Sequence, residues 1–182
     1  LVPVHFAGQS CDMRAIAALA GKFDIRIIED ASHAIGANYL GQPVGDCAYS
    51  DICVFSFHPV KIITTGEGGL ATTKDPKLAS RMELHRSHGV TRDPALMDQA
   101  SEGGWYYQMV DLGYNYRMTE MQAALGVTQF ERLSEFVDRR NALALEYDRK
   151  LADLPVTCPV QNPDSRSAFH LYPILVDNRA EV

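Results

Sequence analysis

The sequence has little that would commit it to a membrane, to nucleic acid or to a covalent framework. No apolar run approaches the roughly 20 residues that span a bilayer, and residues 1–20 lack the charged-then-apolar order of a signal peptide. No basic run exceeds the pair Arg139-Arg140, and 17 basic against 23 acidic residues leave a net charge of −6, which argues against a nucleic-acid partner. Only four cysteines occur, Cys11, Cys47, Cys53 and Cys158, with no Cys-x-x-Cys pair and no histidine at zinc spacing. They read as reduced, mostly buried thiols, so neither a metal centre nor a disulfide scaffold is expected. The composition is that of a soluble cytoplasmic protein without membrane contact.

What is present is an alternation of short apolar runs with segments of helical period, the mark of an α/β layer architecture. "LVPV" at residues 1–4 reads as a buried strand, followed by a helix from about Cys11 to Phe23 with Ser10 as its N-cap. "IRIIED" is a strand ending at Asp30, "DICVFSF" one ending at Ser56, and "GLATTK" a fourth. Asp75 before Pro76 opens a further helix. These elements predict a mostly parallel sheet flanked by helices. Residues 91–113 have little periodicity and read as a lid or interface loop. Thr119 with Gln122 forms a capping box that opens one long helix, and Pro155, Pro159 and Pro163 mark a boundary after it. The expected division is 1–154 for one unit and 155–182 for a linker and the start of another. The chain starts within one strand and stops just after another, so an internal piece of a longer protein is expected.

In an open parallel sheet ligands bind beyond the carboxyl ends of the strands, where this sequence puts His5, Asp30, Ser56 and, in the following turn, Lys61. Lys61 lies between apolar residues in "SFHPVKIITTGEGG", poorly placed as a solubility charge and in need of a partner or a covalent role. A carboxylate, a serine and a lysine so arranged match the demands of pyridoxal 5′-phosphate. The amine forms a Schiff base with the aldehyde, the acid keeps the ring nitrogen protonated, and donors neutralise the phosphate. Each residue also has a bland reading: a strand-end Asp as a turn former, a loop Lys as a solvated charge, His33 as a satisfied structural histidine. Small residues in "EDASHAIGA" sharpen the case, because they admit a flat ring beside His33. "TTGEGG" lacks the Gly-Lys-Ser/Thr of a P-loop and leads into a strand, so no ATP site is expected.

The ordered motifs "PVHFAGQ", "EDASHAIGA", "FSFHPVKIITTGEGG", "RSHG", "GYNYRMTEMQAALG" and "HLYPI" resemble the DegT/DnrJ/EryC1/StrS sugar aminotransferases over essentially the whole chain. The resemblance implies a fold-type I pyridoxal-phosphate transferase, with residues 1–154 in its large domain and 155–182 leading into the small one. It implies Lys61 as the Schiff-base lysine, Asp30 as partner of the pyridine nitrogen, His33 near the ring hydroxyl and Ser56 on the phosphate. Asn115 resembles the asparagine that reaches across a homodimer interface to the neighbouring subunit's phosphate. Within the family the motifs look most like the aminotransferases of pseudaminic acid synthesis, which transfer an amino group from L-glutamate to C4 of a UDP-linked 4-keto-6-deoxy-N-acetylhexosamine. Enzymes acting on UDP-4-keto-arabinose rank second.

For the sugar nucleotide, Arg117 and His170 are candidate diphosphate contacts, and His58 and His88 lie near the site in sequence. Arg117 equally suits a surface ion pair, His170 the positioning of the segment after it, and the other two histidines structural roles. Trp105, Tyr106 and Tyr107 fit either a sugar pocket or an interface. Sugar dehydratases of this fold replace the anchoring lysine with histidine, so the presence of Lys61 favours transamination; a non-catalytic sugar sensor and an inactive scaffold fragment are the remaining rivals. Residues 1–182 alone are expected to bind cofactor weakly.

Overall fold

In the computed structural model, which describes residues 1–181, residues 1–4 run parallel to Ile28–Asp30 (β1). Ile28 N–H donates to Leu1 O at 3.0 Å and Asp30 N–H to Pro3 O at 2.9 Å. The expected strand "LVPV" is therefore reduced to a paired segment with a single parallel bridge, Val4 to Asp30. Pro3 has no N–H to extend a ladder.

Helix α1 spans Met13–Lys22 and starts later than the sequence suggests. Its N-cap is Asp12, whose carboxylate accepts from Ala15 N–H at 3.1 Å. Ser10, the expected cap, is buried and its hydroxyl donates to Cys11 O instead. A cap must turn its oxygen toward the first free N–H groups, and only Asp12 does so.

A hairpin of Asn38–Tyr39 (β2) and Gln42–Pro43 (β3) precedes Ile52–Ser56 (β4), which lies parallel to β1 with Asp30 opposite Val54. Gly69–Thr72 (β5) then pairs with β4 in the antiparallel sense, Ser56 opposite Gly69. The sheet order β1-β4-β5 is thus parallel up to its last strand, which reverses. Helix α2, Pro76–Arg86, starts as expected, with Asp75 accepting from Lys77 N–H at 2.7 Å.

The stretch expected to be a loop contains a short hairpin, Val90–Thr91 (β6) with Gln108–Met109 (β7). Thr119 and Gln122 form the expected capping box, but the helix they open is not continuous. It divides at Arg132 into α3, Glu120–Glu131, and α4, Leu133–Leu151. The two segments serve different surfaces: a Cβ at Gly126 of α3 would lie 2.8 Å from Thr65 Cγ2, whereas Leu133 and Val137 of α4 crowd Gly36. Ser165–Arg166 (β8) returns to pair with β2.

The larger core cluster joins Ala31, Ala34, Cys53, Phe55, Ile62, Ile63, Val137 and Ala168. Cys47 and Cys53 are buried, while Cys11 and Cys158 are half-buried free thiols. Among the described residues no helix is long and apolar enough to cross a membrane.

Candidate active site

The parallel pairing of β1 and β4 brings their carboxyl ends side by side, so Asp30 and Ser56 share one edge of the sheet. Lys61 lies in the turn beyond β4, held on both sides. Its backbone N–H donates to His58 O at 2.9 Å, and the buried Ile62 and Ile63 anchor the chain after it in the core. The hydroxyls of "TTGEGG" shape this turn: Thr64 donates to Phe57 O at 2.9 Å and Thr65 to Glu67 O at 2.7 Å. Gly68, at φ +151°, is required here, because a Cβ would lie 2.5 Å from Thr65 Oγ1. The result is a half-buried lysine on an ordered loop.

The charge of Lys61 is felt by three groups. Hydrogen bonds from Ser32, with Lys61 nearby, hold the Asp30 carboxyl below its usual range despite partial burial. His33 is lowered by burial and then by Lys61, with Asp30 opposing. His170 is lowered further, to about 4, by burial first and then by His33, Lys61 and Arg140. Their rings form a column: Phe6 and His33 are 6.0 Å apart between centroids, and His33 and His170 4.5 Å apart with 38° between planes. Ala7 N–H donates to His33 Nδ1 at 3.3 Å. His170 Nδ1 is buried and has no hydrogen-bond partner among the described residues.

Behind Asp30 lies a polar network the sequence reading did not find, apart from its first member. His5, fully buried, meets Glu29 through Nε2 and Oε2 at 2.7 Å, and Ser50 donates to the other Glu29 oxygen. Cys11 N–H donates to His5 Nδ1 at 3.2 Å, so the ring proton toward Glu29 is on Nε2. His5 N–H in turn donates to Asp30 O at 3.0 Å, tying this network to the strand end. The signal for it was Glu29 itself: the residue before a strand-end Asp points to the opposite face, into the core, where a carboxylate needs a partner. Arg140 was also missed; it donates to the Phe169 and His170 carbonyls at 3.0 and 3.3 Å.

The remaining expected residues lie elsewhere. Ser56 Oγ accepts weakly from His58 N–H at 3.4 Å, leaving its hydroxyl proton free to donate. His58 is exposed at the rim, with Nε2 3.9 Å from Glu67. Asn115 and Arg117 are exposed on the segment that bridges to Ser87 and Arg86 at the end of α2, and neither hydrogen-bonds to the Lys61 cluster among the described residues. His88 is exposed at φ +62° and serves the same segment through its backbone N–H to Tyr114 O. Trp105 packs edge-on against Tyr106 and is exposed.

An amine, an ionised carboxylate, an imidazole donor and a free hydroxyl along one sheet edge are the donor set that pyridoxal phosphate requires: an amine for the aldehyde, an anion for a protonated ring nitrogen, donors for the phenolic oxygen and phosphate. The residues present fit that group.

Comparison with known proteins agrees. The family profile described as DegT/DnrJ/EryC1/StrS aminotransferase family matches residues 1–182. The chain is 40% identical to the UDP-4-amino-4,6-dideoxy-N-acetyl-beta-L-altrosamine transaminase of Campylobacter jejuni, over 95% of this chain and 43% of that one. It is 37% identical to the UDP-4-amino-4-deoxy-L-arabinose–oxoglutarate aminotransferase of Shewanella sediminis, over 97% and 45%. Among solved structures, Spr1654 of Streptococcus pneumoniae in its PLP form superposes with a TM-score of 0.83 at 30% identity, covering 97% of this chain and 47% of that one. A PMP form of the same protein gives 0.85. The chain spans less than half the length of these relatives.

Proposed function

The chain belongs to the DegT/DnrJ/EryC1/StrS aminotransferase family and has its fold-type I architecture, and from that premise we propose that the protein is a pyridoxal-phosphate-dependent aminotransferase acting on a nucleotide-linked keto-sugar. The observation that carries the reading is the half-buried Lys61 on its anchored turn, close enough to Asp30, His33 and His170 to perturb all three.

When bound, pyridoxal phosphate supplies an aldehyde that condenses with amines and a protonated ring that accepts the electron pair left at the substrate carbon. Lys61 would be the covalent anchor, and its amine, when free, would take up and hold on Nζ the proton removed from the donor's α-carbon. Asp30, kept ionised by Ser32, holds the proton on the ring nitrogen. His33, with Nδ1 occupied by Ala7, offers Nε2–H to the phenolic oxygen. Ser56 donates its hydroxyl to the phosphate. Asn115, exposed and without a hydrogen bond to this cluster in its own chain, supplies the neighbouring subunit's phosphate site, which makes the working unit a homodimer. Arg117 is the proposed contact to the sugar diphosphate and His58 a further substrate contact at the rim, whereas His170, the other diphosphate candidate, keeps its Nδ1 buried. Residues 1–154 then belong to the cofactor-binding domain, and 155–182 lead toward the small domain.

L-glutamate is the proposed donor and a UDP-4-keto-6-deoxy-N-acetylhexosamine the proposed acceptor, supported by the Campylobacter jejuni relative. The Shewanella sediminis relative, at similar identity, supports UDP-4-keto-arabinose as a second reading. Turnover of the two keto-sugars with glutamate by the full-length protein separates them.

The test of the anchor comes first. The full-length protein is loaded with pyridoxal phosphate, reduced with borohydride and digested for mass spectrometry. A phosphopyridoxyl group on Lys61, absent from Lys61→Arg, is expected, with a visible band that fades on adding glutamate. A folded, cofactor-saturated protein without an adduct on Lys61 would remove the aminotransferase reading.

A further inference from the structure

His170 belongs neither to the strand ends nor to the lysine turn, yet the fold builds a dedicated seat for it. Gly8, at φ +107°, carries no side chain where a Cβ would lie 2.7 Å from Phe169 N and 2.9 Å from His170 N. Ala168 N–H donates to Gly8 O at 2.9 Å and Leu171 N–H to Ala7 O at 3.3 Å, so residues 168–171 are laced to the turn that also holds His33. From the other side Arg140 of α4 donates to both the Phe169 and His170 carbonyls. Phe169 is held at φ +45°, a conformation a non-glycine residue adopts only when its surroundings impose it. All of this places one imidazole against another at 4.5 Å.

The protonation of both rings follows from their contacts. Ala7 N–H donates into His33 Nδ1, so that nitrogen carries no proton and the neutral ring bears its proton on Nε2. A protonated His170 would bury an N–H at Nδ1 with no acceptor, against a second imidazole and near Lys61 and Arg140. Among the described residues Asp30 is the one carboxylate that bears on this pair, and it does so through His33.

We propose that His170 is a positioning residue: clamped by Arg140, its ring packs at a tilt against His33 and, with Ala7 N–H on Nδ1, fixes it as a neutral imidazole whose only donor is Nε2–H. That donor is the one His33 presents to an anionic oxygen of the ligand. The inference rests on the cofactor reading above for the identity of that oxygen, the phenolic oxygen of pyridoxal phosphate, but not for the state of His33 itself.

The test uses the full-length protein and three variants. His170→Leu keeps volume and loses the ring, His170→Phe keeps a stacking ring without nitrogens, and Arg140→Gln loosens the clamp without touching either histidine. Two readouts insensitive to a general loss of stability are taken: the ¹⁵N shifts that report the His33 tautomer, and the pH midpoint of the bound cofactor's visible band. His170→Leu is expected to mix the His33 tautomers, move the midpoint and weaken cofactor binding by about tenfold. His170→Phe restores all three, and Arg140→Gln shifts them in the same direction as His170→Leu. Should His170→Leu not fold, Arg140→Gln and His170→Phe decide the matter. Unchanged tautomer and midpoint in His170→Leu or Arg140→Gln, or failure of a folded His170→Phe to restore them, overturns the proposal whatever happens to the melting temperature. If the wild type takes up no pyridoxal phosphate, the cofactor reading fails while the tautomer measurement still tests His170.

Discussion

A half-buried imidazole beside a lysine has to stay neutral for the fold to tolerate it, and this gives the protein a specific response to acid. The usual histidine pKa of 6.5 applies to His170 in the unfolded chain, whereas burial and its neighbours lower it to about 4 in the folded one. Between those values the unfolded state takes up a proton that the folded state refuses, so stability present above pH 6.5 falls as pH falls and is fully lost below about 4. His33 is shifted in the same direction. After allowance for solvent screening the loss is on the order of 1–2 kcal/mol. Urea midpoints at pH 7 and pH 4.5 should therefore converge in His170→Phe relative to wild type; an identical drop in both would show that His170 does not carry it. Asp30, Ser56 and Lys61 were legible because strand ends and the following turn are places a sequence marks plainly. Arg140 was not: its partners lie 29 and 30 residues away, on a segment with no periodic pattern.

Helix boundaries show the same division between local and distant causes. The capping box at Thr119 is entirely local, with Gln122 N–H donating to Thr119 Oγ1 at 3.3 Å and Gln122 Oε1 accepting from Thr119 N–H at 3.0 Å, and it was readable as such. The break at Arg132 was not readable. Apolar residues continue through it at helical spacing, and the different packing partners of the two segments, the Thr65 turn for α3 and Gly36 for α4, are visible only in the fold. Ser10 failed as a cap for a related reason: tertiary burial overrode a good local propensity. Thr119→Ala should cost about 1 kcal/mol, because the Gln122 N–H loses its acceptor at the helix start. A lower urea midpoint with an unchanged m-value is the expected signature. Because α3 leans on Thr65 in the lysine turn, the same variant is expected to loosen cofactor binding, whereas an equally destabilising change in α1 is not.

At the scale of the whole molecule, the segment from β7 into α3 exposes more apolar surface than a solitary domain normally shows: Met109, Leu112, Tyr116, Met121 and Phe130 are each more than half exposed. Asn115 sits in the middle of this band, with its backbone bridged to Ser87 and its side chain outside the cluster around Lys61. The motif singled the residue out as a candidate, but its exposure beside the end of α2 could come only from the fold. If the band is the homodimer interface, Asn115 of one subunit completes the site of the other, and the two defects Lys61→Arg and Asn115→Ala must complement each other. Each variant alone should form dimers with impaired sites. Unfolded together and refolded, equal amounts give half heterodimers, in which one site collects both defects and the other is intact. About one quarter of wild-type cofactor loading by borohydride trapping is then expected in the mixture. Recovery at that level places Asn115 across the interface, since a residue serving its own subunit's Lys61 would leave every site in the mixture with one defect or the other.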